Sequence, residues 1–476
     1  MVRRTRIAAL VTLAMINVFT LVAAVAVARM LPARLAALRV ASVDAGPVVG
    51  GRTVLAPGAR TGPLPTAGGL RSALAGSLSQ AALGSQVSVL VADAVTGRVL
   101  LSQDGAQLST PASTAKLATA EAALAVLGAG ARFTTRVVDG TAPDSIVLVG
   151  GGDPTLAVRP YPARDYPRPA TLASLAAATA GALKKEGRGS VTLGYDTSLY
   201  SGPPLAPGWS QSYVSGGDVT PIVSLEVDQG RLTSAGTPEN SDDPYNLGPR
   251  ATDPAAMAAA SFAALLAADG IRVTGTPAAE QAAAHAAVVA SVSSPPLSAI
   301  VEQMLLESNN VIAENLARQV AVATGQPASF GGAAGAVIAE LRRLGVTTGI
   351  HLMDGSGLSP QDGIAPATLV RVLELAEAEP QLRAILAGLP VAGFSGTLSA
   401  SQSVFSGIGG GARGVVRAKT GNLGTVAALA GFVTDKAGRV LVFAIMAGQI
   451  PTAGLLQAAA NDIDAASAVL AACGCR

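Results

Sequence analysis

Cysteine and histidine are nearly missing from this 476-residue chain, with two of each. Cys473 and Cys475 sit in the terminal tail Cys-Gly-Cys-Arg, and His285 and His351 lie outside any Cys-x-x-Cys or His-Glu-x-x-His pattern. A zinc centre needs more ligands than these, so zinc catalysis is not expected. One residue between the cysteines makes a tail disulfide strained and leaves its state open. Aromatic residues make up only 3% of the chain and charged ones 13%, with a net charge of +2 and both signs interspersed. Without a basic run or stacking platforms, no nucleic-acid partner is expected. The composition, half apolar and rich in Ala, Gly and Val, is globular rather than disordered or multiply membrane-spanning.

One apolar run stands out. Arg3, Arg4 and Arg6 precede a low-charge stretch from Ile7 to Ala28, followed by Arg29. It is long enough to span a bilayer, and Ala24-Val25-Ala26 also offers a cleavage point for a signal peptidase. Residues 1–30 are therefore expected to be a membrane anchor or signal segment, placing the protein in the cell envelope outside the cytoplasm, anchored or secreted. Residues 31–69, rich in Pro, Gly, Ala and Arg without periodicity, read as a linker with order beginning near Leu70.

Beyond the linker, Val87–Asp93 and Val99–Leu101 pattern as a hairpin, and a helix follows from Ser113 to a stop at Gly128. From about Phe133 to Gly275 short strand-like segments (Thr134–Val138, Ile146–Val149, Val191–Leu193) alternate with Pro/Gly-rich loops. Helices dominate afterwards, one of them predicted from Ser298 to Val322. Three strands (Val415–Lys419, Val426–Thr434, Val440–Met446) and an Ala-rich helix, about Gly454 to Ala472, close the chain. Strands at both ends around central helices predict one α/β domain, 70–132 plus 276–476, interrupted by an inserted β-rich domain, 133–275.

The chemistry concentrates in three short motifs. In Ser113-Thr114-Ala115-Lys116 the helical spacing sets Lys116 beside the Ser113 hydroxyl, where a buried amine can lose its proton and act as base. Alone this is weak, since about one Ser-x-x-Lys is expected by chance in a chain of this size. Ser308-Asn309-Asn310 interrupts an amphipathic helical pattern with two poor helix formers, and Lys419-Thr420-Gly421 ends a strand-like run. The only lysines are Lys116, Lys184, Lys185, Lys419 and Lys436, so two of five complete candidate motifs. The ordered trio closely resembles the one found in penicillin-binding proteins and β-lactamases.

Around the trio, Pro111-Ala112-Ser113-Thr114-Ala115-Lys116-Leu117 resembles the nucleophile segment of the class C low-molecular-mass penicillin-binding proteins, the D-alanyl-D-alanine carboxypeptidase/endopeptidase group. Further matching segments are Gly151–Leu156, Ala206–Trp209, Ser308–Glu314, Asp354–Ser359 and Ala418–Gly421. The resemblance, over about Leu70 to Gly448, implies a penicillin-recognising α/β fold with an insert between the first two motifs. It further implies a serine acyl-enzyme acting on peptidoglycan stem peptides without metal or cofactor, with β-lactam antibiotics as covalent inhibitors. Ser113 would be the nucleophile and Lys116 its base. Ser308 would relay a proton to the leaving amine, beside Lys419. Asn310 would bond the substrate amide or Lys116. Thr420, Gly421 and Asn422 would form the substrate-binding strand, with the backbone N–H groups of Ser113 and Asn422 as oxyanion hole.

Rival readings fit less well. A class A β-lactamase would lack so large an insert and would show a Glu-x-x-x-Asn segment, and a class C lactamase would show Tyr-x-Asn at the second motif. A catalytically silent scaffold would not need an intact serine and both lysines. Gly-x-Ser-x-Gly is missing around Ser113, which disfavours a Ser-His-Asp hydrolase. One departure concerns specificity. Many relatives carry Arg after Ser-Gly-Leu-Ser and a carboxylate soon after Ala-Pro-Gly-Trp, gripping the diaminopimelate side chain of the stem peptide. Here Pro360 follows Ser359, and Ser210-Gln211-Ser212-Tyr213 follows Trp209 with Asp218 the nearest acid.

Overall fold

The computed structural model describes residues 62–161, 166–236, 248–400, 403 and 411–476, all within the unit Ala59–Arg476. The apolar run Ile7–Ala28 and most of the expected linker lie outside the described residues. Among the described residues no helix is long and apolar enough to cross a membrane.

Order begins with α1 (Ala67–Leu78), slightly ahead of Leu70, because the Thr66 side chain accepts the Gly69 N–H and caps it. Strands β1 (Gln86–Asp93) and β2 (Val99–Gln103) form the expected hairpin, and α2 (Ala115–Leu127) ends at Gly128. Then follow β3 (Thr134–Asp139), β4 (Ser145–Val149), α3 (Leu172–Lys185), β5 (Ser190–Asp196), α4 (Pro254–Ala268), β6 (Arg272–Val273), β7 (Ala278–Ala279) and β8 (Val288–Ser293). Four longer helices come next: α5 (Leu297–Glu307), α6 (Asn310–Ala323), α7 (Phe330–Arg343) and, after the short β9 (Ile350–His351) and β10 (Gly363–Ile364), α8 (Pro366–Ala378). The chain closes with β11 (Val416–Leu423), β12 (Val426–Thr434), β13 (Val440–Gly448) and α9 (Leu456–Ala472). Cys473 and Cys475 are joined in a disulfide.

Two sheets organise these elements. The first has the order β11-β12-β13-β1-β2, antiparallel throughout, so both ends of the chain build it. Alternate residues of β13 point to opposite faces, as strand geometry requires. Val442, Ala444 and Met446 join the core beneath α2 and the central helices, while Leu441, Phe443, Ile445 and Ala447 join that beneath α1 and α9. Because both faces are covered, α2 is buried nearly all round, from Ala115 to Leu124. The second sheet, β6-β5-β4-β3-β8, has its own core with α3 and α4.

Two expectations need correction. The helix predicted from Ser298 to Val322 is two helices. Ser308 adopts left-handed backbone angles, φ 57° and ψ 36°, and ends α5, while the Asn309 side chain accepts the Ile312 N–H and starts α6. Serine and asparagine favour such caps over helix interiors. The strand predicted to stop at Lys419 runs on to Leu423, because pairing with β12 continues from Val416↔Val433 to Leu423↔Val426. The third motif therefore lies inside an edge strand rather than at its end.

Candidate active site

Ser113 sits in a single 3-10 turn, Ala112–Thr114, that leads directly into α2. The turn is held by the Thr114 hydroxyl, which donates to Pro111 O at 2.7 Å, and Ala112 carries a positive φ of 46°. A non-glycine residue in that region is strained, and such strain gathers at functional sites. Two glycines allow the turn its neighbours. A Cβ on Gly357, itself at φ 83°, would lie 1.9 Å from Ala112 O, and one on Gly421 would lie 2.6 Å from Pro111 O and 3.2 Å from Ser113 N. Strand β11 can thus press its backbone against the Ser113 turn only without a side chain at that point.

One helical turn on, Lys116 is fully buried, and its Nζ lies 2.8 Å from Ser113 Oγ. The amine also donates to Asn310 Oδ1 at 2.6 Å and to the Ser356 carbonyl at 2.8 Å. Burial brings its pKa down to about 7, against the opposing pull of the Asp354, Glu314 and Asp362 carboxyls. Asn310 is locked from its other end, its Nδ2 donating to Asp218 O at 2.9 Å.

The left-handed turn at Ser308 aims its hydroxyl at β11, where Lys419 Nζ donates to Ser308 Oγ and to Thr420 O, each at 2.8 Å. Lys419 is also fully buried, and burial together with the neighbouring Lys116 charge depresses its pKa strongly. Thr420 Oγ1 lies 2.7 Å from Thr397 Oγ1. Ser113, Ser308, Asn310, Thr420 and Asn422 line one cavity of about 500 Å³. The eight residues singled out in the sequence therefore meet in one place.

Beneath them lies a carboxylate layer to which the sequence reading assigned no role. Glu314 accepts the N–H groups of Gly355 and Ser356, the latter at 2.8 Å. Asp354 accepts those of Gly357 and Ser359, each at 2.7 Å, and the Trp209 indole N–H at 2.8 Å. Burial and the nearby Asp354 push Glu314 and Asp362 upward. These bonds shape the turn that presents the Ser356 carbonyl to Lys116. The alternation Asp354-Gly355-Ser356-Gly357 was the available signal, an acid followed by residues able to fold N–H groups back onto it. Thr397 gave no signal, since only the fold brings it to Thr420.

The chain is similar to known proteins along most of its length. The chain is 39% identical over 418 residues to carboxypeptidase DacB of Mycolicibacterium smegmatis, covering 87% of this chain and 86% of the relative. It is 36% identical over 426 residues to carboxypeptidase Rv3627c of Mycobacterium tuberculosis, covering 88% and 87%. Its fold matches penicillin binding protein 4 (dacB) of Haemophilus influenzae with a TM-score of 0.67 at 25% identity, over 83% of this chain and 98% of that one, a protein also solved in complex with a β-lactam. The model of the D-Ala-D-Ala carboxypeptidase 3 (S13) family matches residues 70–248 and 234–472, and the chain belongs to that family of serine-type D-alanyl-D-alanine carboxypeptidases.

Proposed function

We propose that the site cleaves the D-alanyl-D-alanine end of peptidoglycan stem peptides through an ester on Ser113. The observation that carries this reading is the set of partners around Lys116. A neutral amine has two N–H bonds and one lone pair. Asn310 Oδ1 and Ser356 O occupy the two donors, so the lone pair faces Ser113 Oγ. With its pKa near 7, a substantial fraction of Lys116 is neutral under physiological conditions.

Ser113 Oγ attacks the carbonyl carbon of the penultimate D-alanine while its proton passes to Lys116. The backbone N–H groups of Ser113 and Asn422 take the oxyanion, in a setting that Gly421 keeps close to the turn. The C–N bond then breaks, and the leaving amine receives a proton through Ser308, with Lys419 holding the local charge. Lys419 and Thr420 bind the terminal carboxylate. Water hydrolyses the ester and returns Ser113. The same acyl-enzyme serves endopeptidase cleavage when the leaving amine belongs to a second stem peptide. β-Lactams acylate the same serine.

Peptidoglycan is an extracytoplasmic polymer, so the enzyme acts outside the cytoplasm, and the run Ile7–Ala28 would deliver it there as an anchor or a cleaved signal. A mature N-terminus near Val27 would select the signal. Within the chain, 70–132 with 276–476 would form the catalytic domain and 133–275 an insert, whose sheet also takes in Val288–Ser293. The test is release of D-alanine from a pentapeptide stem. Wild type should release it, and Ser113→Ala should not.

A further inference from the structure

The cavity above Ser113 does not stop where the terminal carboxylate would sit. Past Thr420 and Thr397 it reaches α9, whose residues Gln457, Ala460, Ile463 and Asp464 form part of its wall. Their spacing places them along one stripe of the helix. Leu398, next to Thr397, shares an apolar cluster with Ala459 and Ile463, which holds α9 against the turn that carries Thr397. The total of about 500 Å³ is in the range that accommodates a drug-sized ligand, far more than one alanine fills.

Asp464 is the unusual member of that stripe. It is only 6% exposed, yet no hydrogen bond or ion pair reaches its carboxyl among the described residues. The one bond it takes part in beyond the helix ladder is to its backbone, where Ser467 Oγ donates to Asp464 O at 2.7 Å. Burial alone raises its pKa to about 7. A carboxyl with so little exposure keeps only part of its hydration, a cost that an apolar residue on this Ala-rich helix would avoid. Departures of this kind from self-consistency are expected where a ligand completes the site.

Direction along β11 tells which part of a substrate would meet it. Beyond Asn422 the strand borders a second hollow of about 390 Å³, lined by Tyr213, Pro360, Leu423 and Gln449, with no charged side chain among the described residues of its lining. With the terminal carboxylate at Lys419 and Thr420, the α9 wall lies on the leaving side of Ser113 and this hollow on the acyl side.

We infer that Asp464 is a specificity residue for the leaving strand, accepting peptide N–H donors of a second stem peptide released when a cross-link is cut. A single D-alanine is fully engaged at Lys419 and Thr420 and does not extend to α9. The inference rests on the acyl-enzyme assignment to Ser113, and the experiment separates the two. Wild type, Asp464→Asn and Asp464→Ala are assayed on a monomeric pentapeptide stem and on a purified dimer joined by a D-alanyl-diaminopimelate cross-link. Asp464→Ala should lower kcat/KM on the dimer roughly tenfold or more, mainly through KM, as loss of a charge-assisted bond does. Asp464→Asn, which keeps an acceptor oxygen, should fall between. D-Alanine release from the monomer should be unchanged in both variants, which also shows that they fold. Unchanged dimer cleavage in Asp464→Ala, a parallel loss on both substrates, or a wild type that releases D-alanine but leaves the dimer intact would each overturn the inference. A wild type that releases no D-alanine would instead overturn the assignment of Ser113.

Discussion

Ser308 Oγ lies 2.8 Å from Lys419 Nζ, and the contact depends on a break between two helices. Ser308 takes φ 57° where an uninterrupted helix would hold about −63°. Asn309 secures the break by capping α6, and its Nδ2 donates to Gln229 Oε1 at 2.8 Å, tying the turn to the segment before Arg231.

Asn309→Ala should therefore act on stability and rate together. Loss of the cap costs about 1 kcal/mol, and a less constrained Ser308 should slow acylation. Denaturant unfolding and the rate of penicillin labelling check the two effects, and Asn309→Ser, which keeps a capping oxygen, should restore most of the stability.

Acylation should require deprotonated Lys116. Its pKa of about 7 lies far below the ordinary 10.5, so the base form grows as pH rises through 7. The acylation rate should climb over that interval and level off above it. Lys116→Arg should lose about 10²–10⁴-fold, since arginine does not deprotonate and its planar fork cannot reproduce a compact amine. Stopped-flow labelling from pH 5 to 9 gives both results, and a flat profile would contradict the base assignment.

Glu121 is a second buried group with a stability consequence. It lies on α2 with neither carboxyl oxygen bonded to a partner among the described residues, and burial raises its pKa to about 9, with Arg371 opposing and Glu340 adding. Protonation is thus favoured in the fold relative to the ordinary 4.5, so the unfolded chain holds fewer protons between those values. Stability is fullest below 4.5 and declines as pH rises toward 9. Glu121→Leu should remove that decline and gain about 1–3 kcal/mol at alkaline pH, measured by chemical unfolding across pH 5 to 9.

The acyl-side hollow makes a prediction about substrate charge. Its lining includes Pro360, which brings neither a charge nor an N–H donor after Ser359, and the uncharged Tyr213. Amidated diaminopimelate stems should be cleaved at least as well as free ones. A kcat/KM strongly favouring the free form would show that a cation elsewhere grips the carboxylate.

Much of the site was legible because its chemistry is local. Ser113 and Lys116 share a helical turn, so spacing alone placed amine beside hydroxyl, and the poor helix formers at 308–310 already marked a disturbance. The continuous helix was still the wrong reading, because apolar periodicity resumes in phase after the cap and periodicity does not register a single left-handed residue. The strand end was missed for a related reason. Gly421 reads as a turn residue, whereas its role is to let β11 lie against the Pro111 carbonyl. Thr397 and Asp464 reach the cavity only through tertiary packing, to which no sequence spacing points.

The most direct test of the account is the intact mass of the protein after incubation with benzylpenicillin, followed by peptide mapping. Wild type should gain the mass of one whole penicillin, located on Ser113, and Ser113→Ala should carry no adduct. An adduct that persists in Ser113→Ala, or wild-type protein that gains no mass, would contradict it.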